Sequence, residues 1–145
     1  MKKQFVQYEA PKLINIPGLQ DSSGDLRFWD DKNLFPQGIQ RCFWITQVSQ
    51  GVFRGQHAHW QESQLIVSLA GTLELSVEGL DGKRLTFQLL KPDLGIFIPP
   101  LNWVSVSFSS DAVLLGLSDR AFQESDYIRD LDTFRQLQFS YHEQV

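Results

Sequence analysis

From residue 41 to 118 this chain alternates short β-type runs with turn signals, and that rhythm restricts its fold more than any other feature. The runs are Arg41 to Val48, Val52 to His59, Gln64 to Leu69, Thr72 to Val77, Arg84 to Leu90, Leu94 to Ile98, Trp103 to Ser109 and Ala112 to Ser118. Gly, Pro, Asn, Asp and Ser cluster between most of them, and Ala70-Gly71 reads as a hairpin turn. Roughly seven or eight strands this short and evenly spaced predict an all-β sandwich or jelly roll. Beyond Asp119 the period changes: Tyr127, Ile128, Leu131, Phe134 and Leu137 recur at helical spacing behind Glu124-Ser125-Asp126, which reads as the charged cap of one C-terminal helix. Residues 1–40 are expected to form an N-terminal strand and an irregular arm, with a strand over Asp25 to Trp29, and residues 41–145 the barrel with its helix. At 145 residues the whole is expected to be a single domain.

The runs differ in polarity between their faces. Leu73, Leu75 and Val77 alternate with Thr72, Glu74, Ser76 and Glu78, as where one face meets water. Gln64 to Leu69 and Val113 to Leu117 are apolar on both faces, so both need cover. A second subunit is the expected cover and a homodimer the expected assembly, with the N-terminal arm or C-terminal helix as the competing source. Cys42, the single cysteine, lies beside Phe43 and Trp44 and reads as a buried structural thiol. A formal net charge of −4 with dispersed Lys and Arg gives no nucleic-acid footprint. No run reaches the roughly 18 apolar residues of a membrane span, and no apolar segment follows Met1-Lys2-Lys3; a cytoplasmic protein without membrane contact is expected.

The chemistry concentrates in Phe53-Arg54-Gly55-Gln56-His57-Ala58-His59, which holds two of the three histidines. On a regular strand His57 and His59 share one face about 7 Å apart. Imidazole suits both proton transfer near neutrality and metal binding. Gly51, five residues, His57-Ala58-His59, four residues, Gln64, six residues and Gly71 reproduce the spacing of the first motif of metal-binding cupins. Gln64 stands where that motif places a carboxylate, and aligning Pro99 with the second motif puts Val104 where its histidine falls. Two imidazoles and a neutral amide make a weak transition-metal site, and Glu62, three residues past His59, has the wrong parity on a regular strand. Proton transfer is therefore favoured over a metal, and no metal or other cofactor is expected.

Arg54-Gly55-x-His57-Ala58-His59, Gln64, Gly71, Phe108 to Val113, Ser118-Asp119 and Asp126-Tyr127-Ile128-Arg129-Asp130 together resemble the sugar-nucleotide 3,4-ketoisomerases, the WxcM-like branch of the RmlC-like cupins. That resemblance implies a double-stranded β-helix, the cupin jelly roll, with a short C-terminal helix. It also implies metal-free migration of a ketone from C4 to C3 of a dTDP-4-keto-6-deoxyhexose through an enediol, on the route to surface polysaccharides. It assigns His59 as principal base, His57 as its partner, and Arg54 to phosphate or enediolate charge. Gln64 joins the substrate-binding set, and Trp44, Trp60 and Trp103 are the candidate platforms for the nucleotide base. The chain departs from the family at Phe43-Trp44, where a Tyr pair is usual, at Trp60 for Lys, and at Val104 for His. Two alternatives remain open: a non-catalytic sugar-nucleotide-binding homologue, and a metal-dependent cupin using Gln64.

Overall fold

In the computed structural model, which describes residues 7–144, the β-type runs become strands close to their expected bounds. They are β1 (Lys12–Asn15), β2 (Gly18–Asp21), β3 (Gly24–Arg27), β4 (Arg41–Ile45), β5 (Phe53–His59) and β6 (Gln64–Ala70), then β7 (Leu73–Gly79), β8 (Arg84–Leu89), β9 (Leu94–Ile98), β10 (Asn102–Phe108), β11 (Val113–Ser118) and β12 (Tyr127–Ile128). One helix, α1 (Leu131–Glu143), ends the chain. Two five-stranded antiparallel sheets, ordered β1-β9-β6-β11-β4 and β12-β5-β10-β7-β8, make the double-stranded β-helix, and β2 and β3 form a separate hairpin. Period-two alternation fills the space between the sheets. Leu73, Leu75 and Val77 of β7 turn inward to Ile66, Ile96, Val106, Phe108 and Leu114, while Glu74 stays exposed.

Several expectations change. Ala70-Gly71 is not a hairpin turn, because β6 pairs with β9 and β11 whereas β7 pairs with β10 and β8. It is a corner between sheets, with Gly71 at φ 63° and Ser68 Oγ donating to the Ala70 and Gly71 carbonyls at 3.1 and 2.9 Å. The helix begins at Leu131, capped by Asp130, which accepts from the Asp132 N–H and the Thr133 hydroxyl. Tyr127 and Ile128 instead pair with His59 and Ala58 as an edge strand, which frees Asp126 from any capping role. The arm is more regular than its Pro, Gly and Asp content suggests, supplying β1, β2 and β3.

The outer face of β6 is covered from within the chain. Leu65, Val67 and Phe97 pack against Ile16 and Phe35, with Ile14, Trp29 and Leu34 at the margin, so the arm is the cover that the competing expectation named. On the other sheet, α1 sets Phe134 against Ala58, Leu80, Leu101 and Ile128. Cys42 is exposed: β4 sends Arg41, Phe43 and Ile45 inward and Cys42 and Trp44 out. No helix among the described residues is long and apolar enough to cross a membrane.

Candidate active site

A cavity of about 330 Å³ opens between the sheets, a size that suits a small ligand. Its walls are apolar, from Phe43, Ile66, Val106 and Leu114 among others, and its polar groups are Arg41, Arg54, His57, His59, Glu62, Gln64, Tyr127 and Arg129 with Asn102. Of the residues expected in the site, His57, His59, Arg54 and Gln64 are brought together here. Trp44, Trp60 and Trp103 are not. Trp44 is 68 % exposed on the outer face of β4, and Trp60 and Trp103 pack toward the cluster around Phe134 beneath α1. These placements do not suit the Trp side chains as base platforms inside the cavity.

How Arg54 reaches the same cavity as the histidines is a matter of parity. On an unbroken strand residues 54 and 57 face opposite ways. Across β10, however, Val104 pairs with His57 and Ser105 with Gly55, so Gln56 is an extra residue. Gly55 and Gln56 carry it with φ of 83° and 57°. The β-bulge resets the alternation and turns Arg54 to the side of His57 and His59. Gly is required at 55, since a Cβ there meets the Val104 carbonyl oxygen at 2.9 Å.

The two imidazoles lie edge to face with ring centroids 5.0 Å apart, and the Tyr127 ring stands 4.9 Å from His57 and 4.3 Å from His59. His57 Nδ1 is 3.0 Å from the Gly55 carbonyl, which only accepts; Nδ1 therefore holds the proton and Nε2 keeps a lone pair. His59 is 7 % exposed. Its Nε2 lies 3.4 Å from Gln64 Nε2 and 3.5 Å from Glu62 Oε2. Its Nδ1 lies 3.4 Å from Asp126 Oδ2, too poorly aligned for a hydrogen bond. A Gln amide nitrogen donates, so it meets a lone pair on Nε2, and the imidazole proton then sits on Nδ1 facing Asp126. Burial, followed by the neighbouring His57 ring and the Arg41 and Arg129 cations, pushes His59 down to about 3, and burial chiefly lowers His57 as well. Both rings are thus neutral near pH 7, the state in which Nε2 accepts a proton.

Glu62, Asp126 and Arg41 join this site without having been expected in it. The chain leaves β5 after His59 and turns at residues 60–63. Asp126 holds that turn by accepting the backbone N–H of Gln61 at 2.9 Å and of Glu62 at 3.0 Å, while Asp119 takes that of Ser63 at 2.9 Å. The turn cancels the parity argument and folds Glu62, 2 % exposed, back beside His59. Arg41 Nη2 donates to both Glu62 oxygens, at 2.9 and 2.8 Å, and Gln64 Nε2 donates to Oε2. Burial raises Glu62 and Asp126 above the usual carboxylate range. The polar run Gln61-Glu62-Ser63 between two strands is the one local sign that the alternation stops there.

His59, Glu62 and Asp126 place one donor atom each within 4.8 Å of one another, so the set could converge on a cation. Each of its carboxylate oxygens already accepts a hydrogen bond: those of Glu62 from Arg41 and Gln64, and those of Asp126 from two backbone amides. A guanidinium within hydrogen-bond distance of one ligand opposes a second cation, and one imidazole is few nitrogen donors for a transition metal. The donor chemistry fits a hydrogen-bonded acid–base array better than a metal centre.

The family model described as FdtA: WxcM-like, C-terminal matches residues 9–138. A curated TDP-4-oxo-6-deoxy-alpha-D-glucose-3,4-oxoisomerase from Aneurinibacillus thermoaerophilus is 32 % identical over 126 residues, covering 86 % of this chain and 89 % of that one. The crystal structure of QdtA, a sugar 3,4-ketoisomerase of Thermoanaerobacterium thermosaccharolyticum in complex with TDP, superposes with a TM-score of 0.84 at 29 % identity, covering 90 % of this chain and 96 % of that one. A His-to-Asn mutant of QdtA in complex with TDP-4-keto-6-deoxyglucose superposes with a TM-score of 0.81 at 29 % identity, covering 87 % and 91 %.

Proposed function

This chain belongs to the FdtA family, WxcM-like, C-terminal, and from that premise we propose that it is a sugar-nucleotide 3,4-ketoisomerase acting on a dTDP-4-keto-6-deoxyhexose. The observation that carries the reading is His59, a buried neutral imidazole on the cavity wall with an acceptor Nε2 and a carboxylate beside Nδ1. His59 Nε2, released from its 3.4 Å contact with the Gln64 amide, takes the proton from C3; the C–H electrons form the C3=C4 bond and the carbonyl electrons move to O4. The imidazolium so formed is stabilised by Asp126 and Glu62, contacts that tighten as the ring acquires charge. Return of the proton to C4, with transfer of the hydroxyl proton from O3 to O4, places the ketone at C3. His57, whose Nε2 is an acceptor, holds a sugar hydroxyl. Arg54 at the cavity rim is exposed and suits a diphosphate oxygen, a guanidinium task.

The same reading takes the chain as one domain and as a homodimer. The ground for a dimer is no longer Leu65 and Val67 of β6, which the arm covers, but Trp44 of β4 and Leu69 near the end of β6, 68 % and 47 % exposed. Light scattering on the pure protein tests it, and a monomer at micromolar concentration overturns it.

The function is tested by incubating the protein with TDP-4-keto-6-deoxyglucose in D2O and following deuterium at C3 and the new ketone by NMR. Exchange and isomerisation are expected with the unaltered protein, and loss of both with retained TDP binding in His59→Asn. Binding without exchange in the unaltered protein would instead identify a non-catalytic binder, and exchange undiminished in His59→Asn would remove His59 from the role of base.

A further inference from the structure

Three residues other than glycine hold a positive φ among the described residues: Gln47 at 61°, Gln56 at 57° and Leu101 at 64°. Gln47 and Gln56 are exposed, whereas Leu101 is 3 % exposed. Left-handed backbone crowds a Cβ against the following carbonyl oxygen, so a bulky side chain stays there only where its surroundings hold it. Two of the three border the histidine pair. Gln56 makes the bulge before His57, and the Leu101 N–H donates to the His59 carbonyl at 2.8 Å. That bond lies past the last pair of the β5–β10 ladder, His57 with Val104, at the end of β5 where the chain turns away.

The turn that carries Leu101 is fixed from two sides. The Leu101 side chain packs with Ala58, Ile128 and Phe134 in the cluster beneath α1; Ala58 precedes His59, and Ile128 pairs with Ala58 across β12. Asn102, 2 % exposed, donates through Nδ2 to the carbonyls of Pro99 at 3.1 Å, Pro100 at 3.3 Å and Glu9 at 3.1 Å, and accepts the Tyr8 hydroxyl at 2.9 Å. A glycine at 101 would make the same turn without strain. What the leucine adds is an anchor in the cluster that backs β5 and β12. His59 depends on such an anchor. Its Nδ1 lies 3.4 Å from Asp126 Oδ2 and its Nε2 3.4 Å from Gln64 Nε2, so a small shift at the end of β5 breaks the contacts that set which nitrogen carries the proton.

We infer that Leu101 is a positioning residue for His59: its buried side chain locks a left-handed turn whose N–H fixes the His59 carbonyl, and with it the ring, between Asp126 and Gln64. The inference rests on His59 being the base of the isomerisation proposed above. Leu101 is not among the residues that line the cavity and acts through the backbone of His59. Changing it therefore disturbs the aim of the imidazole while the groups that hold the nucleotide sugar stay in place.

The test separates positioning from plain stability. Leu101→Gly, Leu101→Met and Leu80→Ala are compared with the unaltered protein, each below its melting transition, by turnover of TDP-4-keto-6-deoxyglucose, calorimetric TDP binding and 15N spectra of the His59 ring near neutral pH. A neutral imidazole with one fixed proton has two well-separated ring nitrogens, and exchange between tautomers draws them together. In Leu101→Gly the two His59 nitrogens are expected to converge and kcat to fall about tenfold to 10²-fold, with KM and TDP affinity within about twofold, as for a misplaced reacting group. Leu101→Met keeps the side-chain volume and should hold kcat within about threefold. Leu80→Ala removes apolar volume from the same cluster at a residue outside the turn, and should leave the His59 nitrogens and kcat unchanged. An unaltered His59 spectrum in Leu101→Gly, convergence in Leu80→Ala as well, or a rise in KM with kcat held would overturn the inference. If Leu101→Gly does not fold, hydrogen exchange on the unaltered protein decides: the Leu101 amide should exchange as slowly as those of β10, and exchange about 10²-fold faster would overturn the inference. Absence of turnover in the unaltered protein would refute the isomerase reading, and the nitrogen spectra would then decide by themselves whether Leu101 fixes His59.

Discussion

Substituting Gly55 tests the bulge on which the site's geometry depends. Two glycines of this region share almost the same backbone, Gly51 at φ 82° and Gly55 at φ 83°, yet differ in surroundings. A Cβ on Gly51 meets nothing within 4 Å, whereas one on Gly55 meets the Val104 carbonyl oxygen at 2.9 Å and its carbon at 3.5 Å. In both, Ala takes a left-handed conformation costing about 1–2 kcal/mol, partly offset by its smaller unfolded-state entropy. Only Gly55→Ala adds a clash with backbone of a paired strand, which cannot rotate away, and forcing that shift costs about a further 1–3 kcal/mol. The difference between the variants is therefore about 1–3 kcal/mol, or roughly 3–10 °C in melting temperature for a chain of this size. Urea unfolding with an unchanged m-value is the assay. Because the bulge turns Arg54 to the cavity, Gly55→Ala should also weaken TDP binding about tenfold, and Gly51→Ala should leave it unchanged. Variants equal within about 0.5 kcal/mol, the scatter of additive surface changes, would refute the steric account of the bulge.

Asp126→Asn replaces one of two oxygens that accept backbone N–H groups by a donor. Urea unfolding should show a loss of about 2–4 kcal/mol, and isomerisation should fall by about 10² or more through the lost partner of Nδ1. The pH profile of kcat/KM follows from the direction of the His59 shift. Held down to about 3, the ring stays neutral on acidification through its ordinary value, so activity should show no inflection near 6.5. The linked stability has the matching sign: below about 6.5 the unfolded chain binds the His59 proton and the native one does not, so this group's contribution declines as pH falls from 6.5 toward 3. Glu62 and Asp126, raised by burial, act oppositely above the ordinary carboxylate range. Trp44→Ala should leave TDP affinity within about twofold, and Arg54→Ala should lower it about tenfold, a phosphate contact being worth roughly 1.5 kcal/mol or more; calorimetric titration compares the two.

The strands from β4 to β11 were legible in the sequence because side-chain alternation is fixed by the covalent geometry of each segment, whatever it packs against. For the same reason the shared face of His57 and His59 could be read from two residues, and the motifs around them pointed to the family. The sequence did not disclose what depends on distant pairing. Asp126 lay in a quoted motif but reads locally as a helix cap; only its antiparallel neighbours Tyr127 and Ile128, paired to β5, bring it to a turn 64 residues away. Glu62 was set aside by a parity rule that fails once that turn is held. Arg54 reached the cavity through an extra residue visible only as a register shift against β10. The tryptophans carry no local sign of which surface they meet, and tertiary packing put one outside the barrel and two beneath the helix. Local backbone geometry determined the strands and the histidine face, while long-range hydrogen bonds and sheet register decided which charges converge on His59.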